Sequence, residues 1–125
     1  MPNVKLSFCE VNYIRKNIIE VIPFEGVEIG EKEVEEYHKF FDKSFKNAFG
    51  ILVNRKYNYT YTFEAQINIT NYPLLKAVAI LFYDRQSEVS MEPLRTMKSH
   101  ECQMEFWHSQ KDEAINWLEH ELERY

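Results

Sequence analysis

The sequence predicts one α/β domain with a mainly parallel sheet, an N-terminal β-hairpin and helices, in the order β-β-α-β-α-β-α-β-α. Two observations lead to this fold class. Strand-like apolar runs alternate with helical patterns along the chain, as they do where helices cover a parallel sheet. Residues 77–83 are apolar at every position, which is typical of a strand buried on both faces. A length of 125 residues suits a single domain, and no linker or repeat marks a boundary.

The first two elements are predicted strands. Residues 4–11 begin with alternating apolar and polar side chains, the pattern of a strand with one buried face. Residues 17–23 are rich in β-branched side chains, and Pro23 would end this second strand. A turn over residues 12–16 would join the two strands as a hairpin.

The clearest helix spans residues 31–47. It carries one apolar stripe at helical spacing, formed by Val34, Tyr37, His38, Phe41 and Phe45. Glutamates fill its first turns, and Lys43 and Lys46 lie near its end, as the helix dipole favours. Gly50 would stop it.

The second half continues the alternation. We predict a strand over residues 49–53, a loop from residue 54, a short helix over 62–69 and a central strand over 74–83. A helix within residues 84–99 would begin near Ser90, with Pro93 in its first turn.

The chain ends in a predicted strand and helix. The strand covers residues 102–108, and the helix starts at Ser109, which forms a capping box with Asp112.

Composition excludes several classes of function. A net charge of −5 disfavours nucleic acid and anionic membranes, and three glycines are too few for a glycine-rich phosphate cradle. Cys9 and Cys102 lack zinc-ligand spacing, so we expect two reduced thiols, no metal and no cofactor. The N-terminal residues do not resemble a signal peptide, and no apolar run is long enough for a membrane span, so a cytoplasmic protein is expected.

No catalytic residue set is evident, so we expect a protein that is not an enzyme. The four histidines show no metal-ligand spacing, and acidic neighbours disfavour a cysteine nucleophile. There is no GxSxG motif for a serine nucleophile.

Residues 54–62 form the candidate binding surface, because aromatic and basic side chains alternate there. Such a mixture can stack bases and hold phosphate, or mark a protein-binding hot spot. The favoured interpretation is simpler: alternate tyrosines pack on the sheet and the remaining side chains are solvated. The candidate residues are Asn54, Arg55, Tyr57, Tyr59, Tyr61 and Thr62.

Three stretches carry a resemblance to a known family. They are residues 35–41 (EEYHKFF) followed by 51–54 (ILVN), residues 59–65 (YTYTFEA), and Phe106 through residues 113–118 (EAINWL). The chain resembles the STAS family of anti-sigma-factor antagonists, which has the SpoIIAA-like fold, and within it a group of uncharacterised bacterial proteins.

The resemblance implies a SpoIIAA-like sheet and a regulatory, protein-binding role. Phospho-switching members carry Asp-Ser-Ser-Gly where this chain has residues 61–64 (YTFE), so the motif is missing. Thr60 and Thr62 are the nearest hydroxyls, and Thr62 at a helix N-terminus is the position a phosphate would favour.

The leading hypothesis is therefore a non-enzymatic STAS-like module in the bacterial cytoplasm that binds a protein partner through residues 54–62 and the short helix. The alternatives are a carrier of a small apolar ligand or lipid in a pocket lined by aromatic side chains, and an enzyme. A homodimer formed by strand 104–107 or the first hairpin is also predicted, since exposed sheet edges pair readily.

Overall fold

A computed structural model of the chain describes residues 3–84 and 102–125. In chain order the elements are β1 (Val4–Lys5), β2 (Cys9–Arg15), β3 (Ile18–Pro23), β4 (Glu28–Ile29), α1 (Glu31–Ser44), β5 (Phe49–Asn54), β6 (Thr60–Tyr61), α2 (Phe63–Asn68), β7 (Leu75–Phe82), β8 (Gln103–His108) and α3 (Lys111–Leu122). The helix predicted around Ser90 and Pro93 lies outside the described residues.

Six strands form one sheet in the order β1-β2-β3-β5-β7-β8. β1, β2 and β3 pair antiparallel, whereas β3, β5, β7 and β8 pair parallel. The α/β class is confirmed, but the prediction of a mainly parallel sheet is corrected: the sheet is mixed, because β1 folds back on the hairpin and adds a second antiparallel pair. A separate two-stranded parallel sheet, β4 with β6, was not predicted.

The hairpin turn lies later than predicted. β2 continues to Arg15 and the chain turns at residues 16–17, so the turn predicted over residues 12–16 is wrong. Asn12 faces Glu20 across the two strands, and the Asn12 amide donates to the Glu20 carboxylate over 3.3 Å. A polar residue that marks a turn in the sequence is here paired inside a strand.

Helix α1 buries the predicted apolar stripe, with His38 half-buried. The helix ends at Ser44 rather than at residue 47, because Phe45 takes an extended conformation and stacks on Phe49, the two ring centroids lying 4.0 Å apart. Gly50 does not stop the helix. It lies inside β5, in a fully buried strand.

The sheet is covered on both faces. Helices α1 and α2 lie over one face, where Tyr37, Phe41, Ile51 and Val78 belong to the larger apolar cluster. Helix α3 covers the other face with the smaller cluster, whose members are Ile18, Leu52, Ala77, Ala79, Leu81, Ala114, Leu118 and Leu122. A Cβ atom on Gly50 would lie 3.2 Å from Leu118 Cδ2, so the missing side chain lets α3 approach the sheet.

The start of α3 differs from the predicted capping box. The helix begins at Lys111, and Gln110 precedes it without a side-chain cap. Ser109 has a φ of 56°, in the left-handed region, so the Ser109–Asp112 capping box is wrong.

Candidate functional site

Two consecutive buried polar side chains, at the end of β5 and the start of the following loop, lie on opposite faces of the sheet. Asn54 packs toward α3, where its amide donates to Glu20 Oε2 over 2.9 Å. Arg55 is the next residue, its backbone N–H donates to Leu81 O over 2.8 Å, and its side chain contacts Tyr59 on the α1 face. Both side chains lie at the carboxyl end of a parallel strand, where open α/β sheets bind ligands.

Tyr59 holds the guanidinium of Arg55. The Arg55 Cζ atom lies 4.3 Å from the Tyr59 ring centroid, a cation–π contact. Arg55 Nη2 donates to Tyr59 O over 3.3 Å. Arg55 is only 5% exposed, and within the described part of the chain its Nε atom has no hydrogen-bond partner.

The three tyrosines of the loop differ in exposure. Tyr59 is buried, and its hydroxyl forms a 2.9 Å hydrogen bond with the hydroxyl of Tyr61, which is half-buried. Burial, with a smaller effect of neighbouring Tyr61, raises the pKa of Tyr59 well above its usual value. Tyr57 is exposed, with Lys56 Nζ 5.5 Å from its ring centroid. Of the predicted surface, Tyr57 therefore presents its ring to solvent, while Tyr59 contributes to the core.

Thr62 begins the short helix α2, which lies as predicted. Its Oγ1 accepts a 3.2 Å hydrogen bond from the backbone N–H of Ala65, the usual interaction of an N-cap threonine. The Thr62 side chain is half-buried, and Thr60 in β6 is exposed. Of the two hydroxyls considered for phosphorylation, Thr60 is open to solvent and Thr62 is engaged in capping.

Phe63 and Ile67 are the surface residues that sequence analysis missed. They lie four residues apart on α2 and therefore share one face of the helix, opposite buried Ala65. Phe63 is 59% exposed and Ile67 is 48% exposed. The i, i+4 spacing was visible in the sequence, but it is equally typical of a face turned toward the core.

A second polar cluster was also missed. Glu20 lies in β3 with a side chain almost fully buried, and Lys111 Nζ at the start of α3 lies 3.0 Å from Glu20 Oε2. Burial alone would raise the pKa of Glu20, but hydrogen bonds from Asn54, Lys111 and Asn12 reverse this and hold it below its usual value. The only signal in the sequence was one acidic residue inside an apolar strand.

The structure gives the thiols no nucleophilic character. Cys9 and Cys102 are buried and free. Burial raises the pKa of each thiol to about 12, with a smaller contribution of Glu36 at Cys9 and an opposing one of Lys76 at Cys102. The thiolate, the reactive form, is therefore strongly disfavoured at neutral pH.

An apolar cavity lies between the sheet and helix α1, bordered by Tyr37, Tyr61, Ile69 and Thr70 among others. The cavity has a volume of about 30 Å³, which is room for one or two water molecules. Pockets that bind small ligands measure about 300–1,000 Å³. This cavity gives no support to the carrier hypothesis.

Comparison with known proteins identifies the fold of this chain. No family model matches the sequence, and no curated protein matches it closely enough to count as a relative. The structure is similar to the crystal structure of an uncharacterized protein of the DUF3478 family from Shewanella loihica PV-4, which is described as having a SpoIIAA-like fold. The TM-score is 0.56 at 10% sequence identity, over 88% of this chain and 91% of the other.

The fold of this chain is SpoIIAA-like. The expected fold family is thereby confirmed at the level of architecture. In the SpoIIAA-like fold of this chain, the strand-end loop and α2 lie next to each other in sequence and follow the central strand β5. Among the described residues, no helix is long and apolar enough to cross a membrane.

Proposed function

We propose that this SpoIIAA-like chain is a STAS-like protein-interaction module without catalytic activity, which binds a protein partner through the exposed face of α2. The observation that carries the proposal is the pair Phe63 and Ile67, two large apolar side chains exposed one helical turn apart. Because each side chain is about half exposed, covering it would gain about 1 kcal/mol, roughly half the free energy of complete burial. A partner with an apolar patch would recover that free energy.

The loop that precedes β6 and α2 also exposes an aromatic side chain. Tyr57 is exposed, and aromatic side chains of this kind are enriched at the centres of protein interfaces. We call Tyr57, Phe63 and Ile67 the docking face. It replaces the binding surface predicted over residues 54–62 with a smaller set, since Asn54, Arg55 and Tyr59 are buried.

Absence of catalysis is the second part of the proposal. Its support is chemical: the two thiols are held protonated by burial. His38 is half-buried on α1, where its Nε2 lies 3.4 Å from Ile69 O. Neither arrangement within the described part of the chain unites a nucleophile with a base and an orienting group.

Site-specific photo-crosslinking in the native cells tests the docking face. A photoreactive phenylalanine analogue at position 63 should crosslink to one specific protein. The same analogue combined with Ile67→Ser should give roughly one tenth of that crosslinked product or less, as is typical when an interface hot spot is removed. The matched control carries the analogue at Tyr125, which is equally exposed, at 61%, but lies beyond α3.

The result that contradicts the proposal is the same set of crosslinked proteins from positions 63 and 125, or a position 63 product that Ile67→Ser leaves unchanged. A product whose second component is this chain itself would assign the docking face to self-association instead of a partner.

A further inference from the structure

Arg55 is a buried cation whose charge no described carboxylate balances. Its side chain is 5% exposed, and among residues 3–84 and 102–125 no Asp or Glu forms an ion pair with it within 4 Å. Removing an ion from water without a counter-charge costs several kcal/mol in real proteins. Most buried arginines avoid this cost by pairing with an anion.

The contacts of Arg55 position the guanidinium but do not satisfy it. The Tyr59 ring lies against the guanidinium, and Nη2 donates a long 3.3 Å hydrogen bond to Tyr59 O. The Tyr59 hydroxyl is fixed in turn by the Tyr61 hydroxyl at 2.9 Å. The buried Nε–H has no partner among the described residues. Nη2 lies on the same edge of the guanidinium and has a second N–H besides the one that Tyr59 O accepts. Arginine binds an oxyanion through two parallel hydrogen bonds from such an Nε–Nη edge.

The position of this edge in the fold suits a ligand. Arg55 directly follows β5, and its backbone N–H donates to Leu81 O in β7, so it lies at the carboxyl ends of two central parallel strands. Ligands of open α/β sheets bind in that region. Lys56 beside it is exposed and adds a second positive charge in a chain whose net charge is −5.

We propose that Arg55 is the anchor of an oxyanion-binding site, which takes the phosphate or carboxylate group of a small molecule on its Nε–Nη edge. Tyr59 is the positioning residue, because its ring and carbonyl oxygen orient the guanidinium. Arg55 and Tyr59 are buried and do not belong to the docking face, and the proposal does not depend on the proposed function.

Anion titration of ¹⁵N-labelled protein tests the site. Inorganic phosphate and acetate are added in separate series at one fixed ionic strength, with sodium chloride as the balancing salt. We expect a saturable shift of the Arg55 Nε–H signal and a parallel rise in Tm, since a ligand that binds only the folded state stabilises it. If only phosphate saturates the shift, the natural ligand carries a phosphate group. If only acetate does, the natural ligand carries a carboxylate.

Two variants and a control separate this site from general charge screening. Arg55→Gln should weaken binding by at least about tenfold, and Arg55→Lys should also weaken it, because lysine keeps the charge but lacks the fork. Arg15→Gln removes the same charge from an exposed arginine at the opposite end of the sheet and should bind as the unchanged protein does.

The proposal is overturned if neither anion moves the Arg55 Nε–H signal more than sodium chloride does. That result would be expected where a carboxylate of the chain itself already neutralises the guanidinium. Equal binding by Arg55→Lys and the unchanged protein would also overturn it. If Arg55→Gln fails to fold, the titration of the unchanged protein and the Arg55→Lys comparison still decide the question.

Discussion

At the scale of single residues, polar side chains near strand ends were the hardest to place. Asn54 and Arg55 open a stretch of loop-like composition, yet both are buried. Their burial depends on partners elsewhere: Glu20 for Asn54, 34 positions away, and the ring of Tyr59 for Arg55. Composition gives the local preference for a loop, but it carries no information about a distant partner.

Glu20 gives a stability prediction at this scale. Its pKa is lowered in the folded state, so its contribution to the free energy of unfolding is full above the unfolded pKa near 4.5 and is lost as the pH falls through the folded value. Glu20→Gln removes the charge that Lys111 and two amides contact, so we expect a loss of about 1–2 kcal/mol at pH 7. Urea denaturation at pH 7 and at pH 3 measures this loss, which should shrink in acid.

The control for that experiment is Glu28→Gln. Glu28 is exposed in β4 and has no such contacts with residues 3–84 or 102–125, so this variant should unfold like the unchanged protein at both pH values. Equal stabilities of the Glu20 and Glu28 variants at pH 7 would show that the buried cluster contributes nothing.

At the scale of elements, the helices and strands that carry a regular apolar pattern were predicted well, whereas the residues at which elements begin and end were not. The stripe of α1 and the apolar run of β7 lie as expected, because each pattern repeats over several residues. The predicted ends of elements were wrong where they rested on one residue. Gly50, predicted to end α1, belongs to a strand, and Ser109, predicted to cap α3, has a left-handed backbone conformation. A single glycine or serine is compatible with several local structures, and at Gly50 the close approach of α3 to β5 favours a residue without a side chain.

Helix α2 yields the prediction for this scale. Thr62→Ala removes the oxygen that accepts from Ala65 N–H, and loss of an N-cap typically costs about 1 kcal/mol. Thermal or urea unfolding should show this loss, whereas Thr60→Ala, two residues earlier and exposed, should have a much smaller effect. If both variants lose the same stability, the cap does not hold the helix.

At the scale of the whole molecule, the alternation of elements predicted the class but not the order of every strand. The short strands β1, β4 and β6 each have two residues, too few to produce a pattern. The sheet that results has β8 at one edge, with β7 as its one neighbour among the described strands. That edge is where the homodimer predicted from residues 104–107 would form.

Self-association is the prediction that belongs to this scale. If β8 pairs with a second copy, light scattering should show twice the chain mass, and dilution should return it to one chain. Those amide hydrogens of Gln103–His108 that do not already bond to β7 should exchange more slowly in the concentrated sample than in the dilute one, since pairing protects them. One chain mass at every concentration, with unchanged exchange, would show that this edge does not pair.

Helix α3 follows in the chain the strands that it covers, and this order has a consequence during synthesis. On the ribosome β5 and β7 emerge long before α3, so the sheet face that holds Leu52, Ala79 and Leu81 lacks the cover of Ala114, Leu118 and Leu122 until those residues have been made. The hairpin β2–β3 can form early, because its strands are joined by a two-residue turn, whereas the parallel pairs must first close long loops. A nascent chain stalled before residue 111 would therefore lack the α3 side chains that cover this apolar sheet face, and exposed apolar surface of this kind makes folding intermediates prone to aggregation.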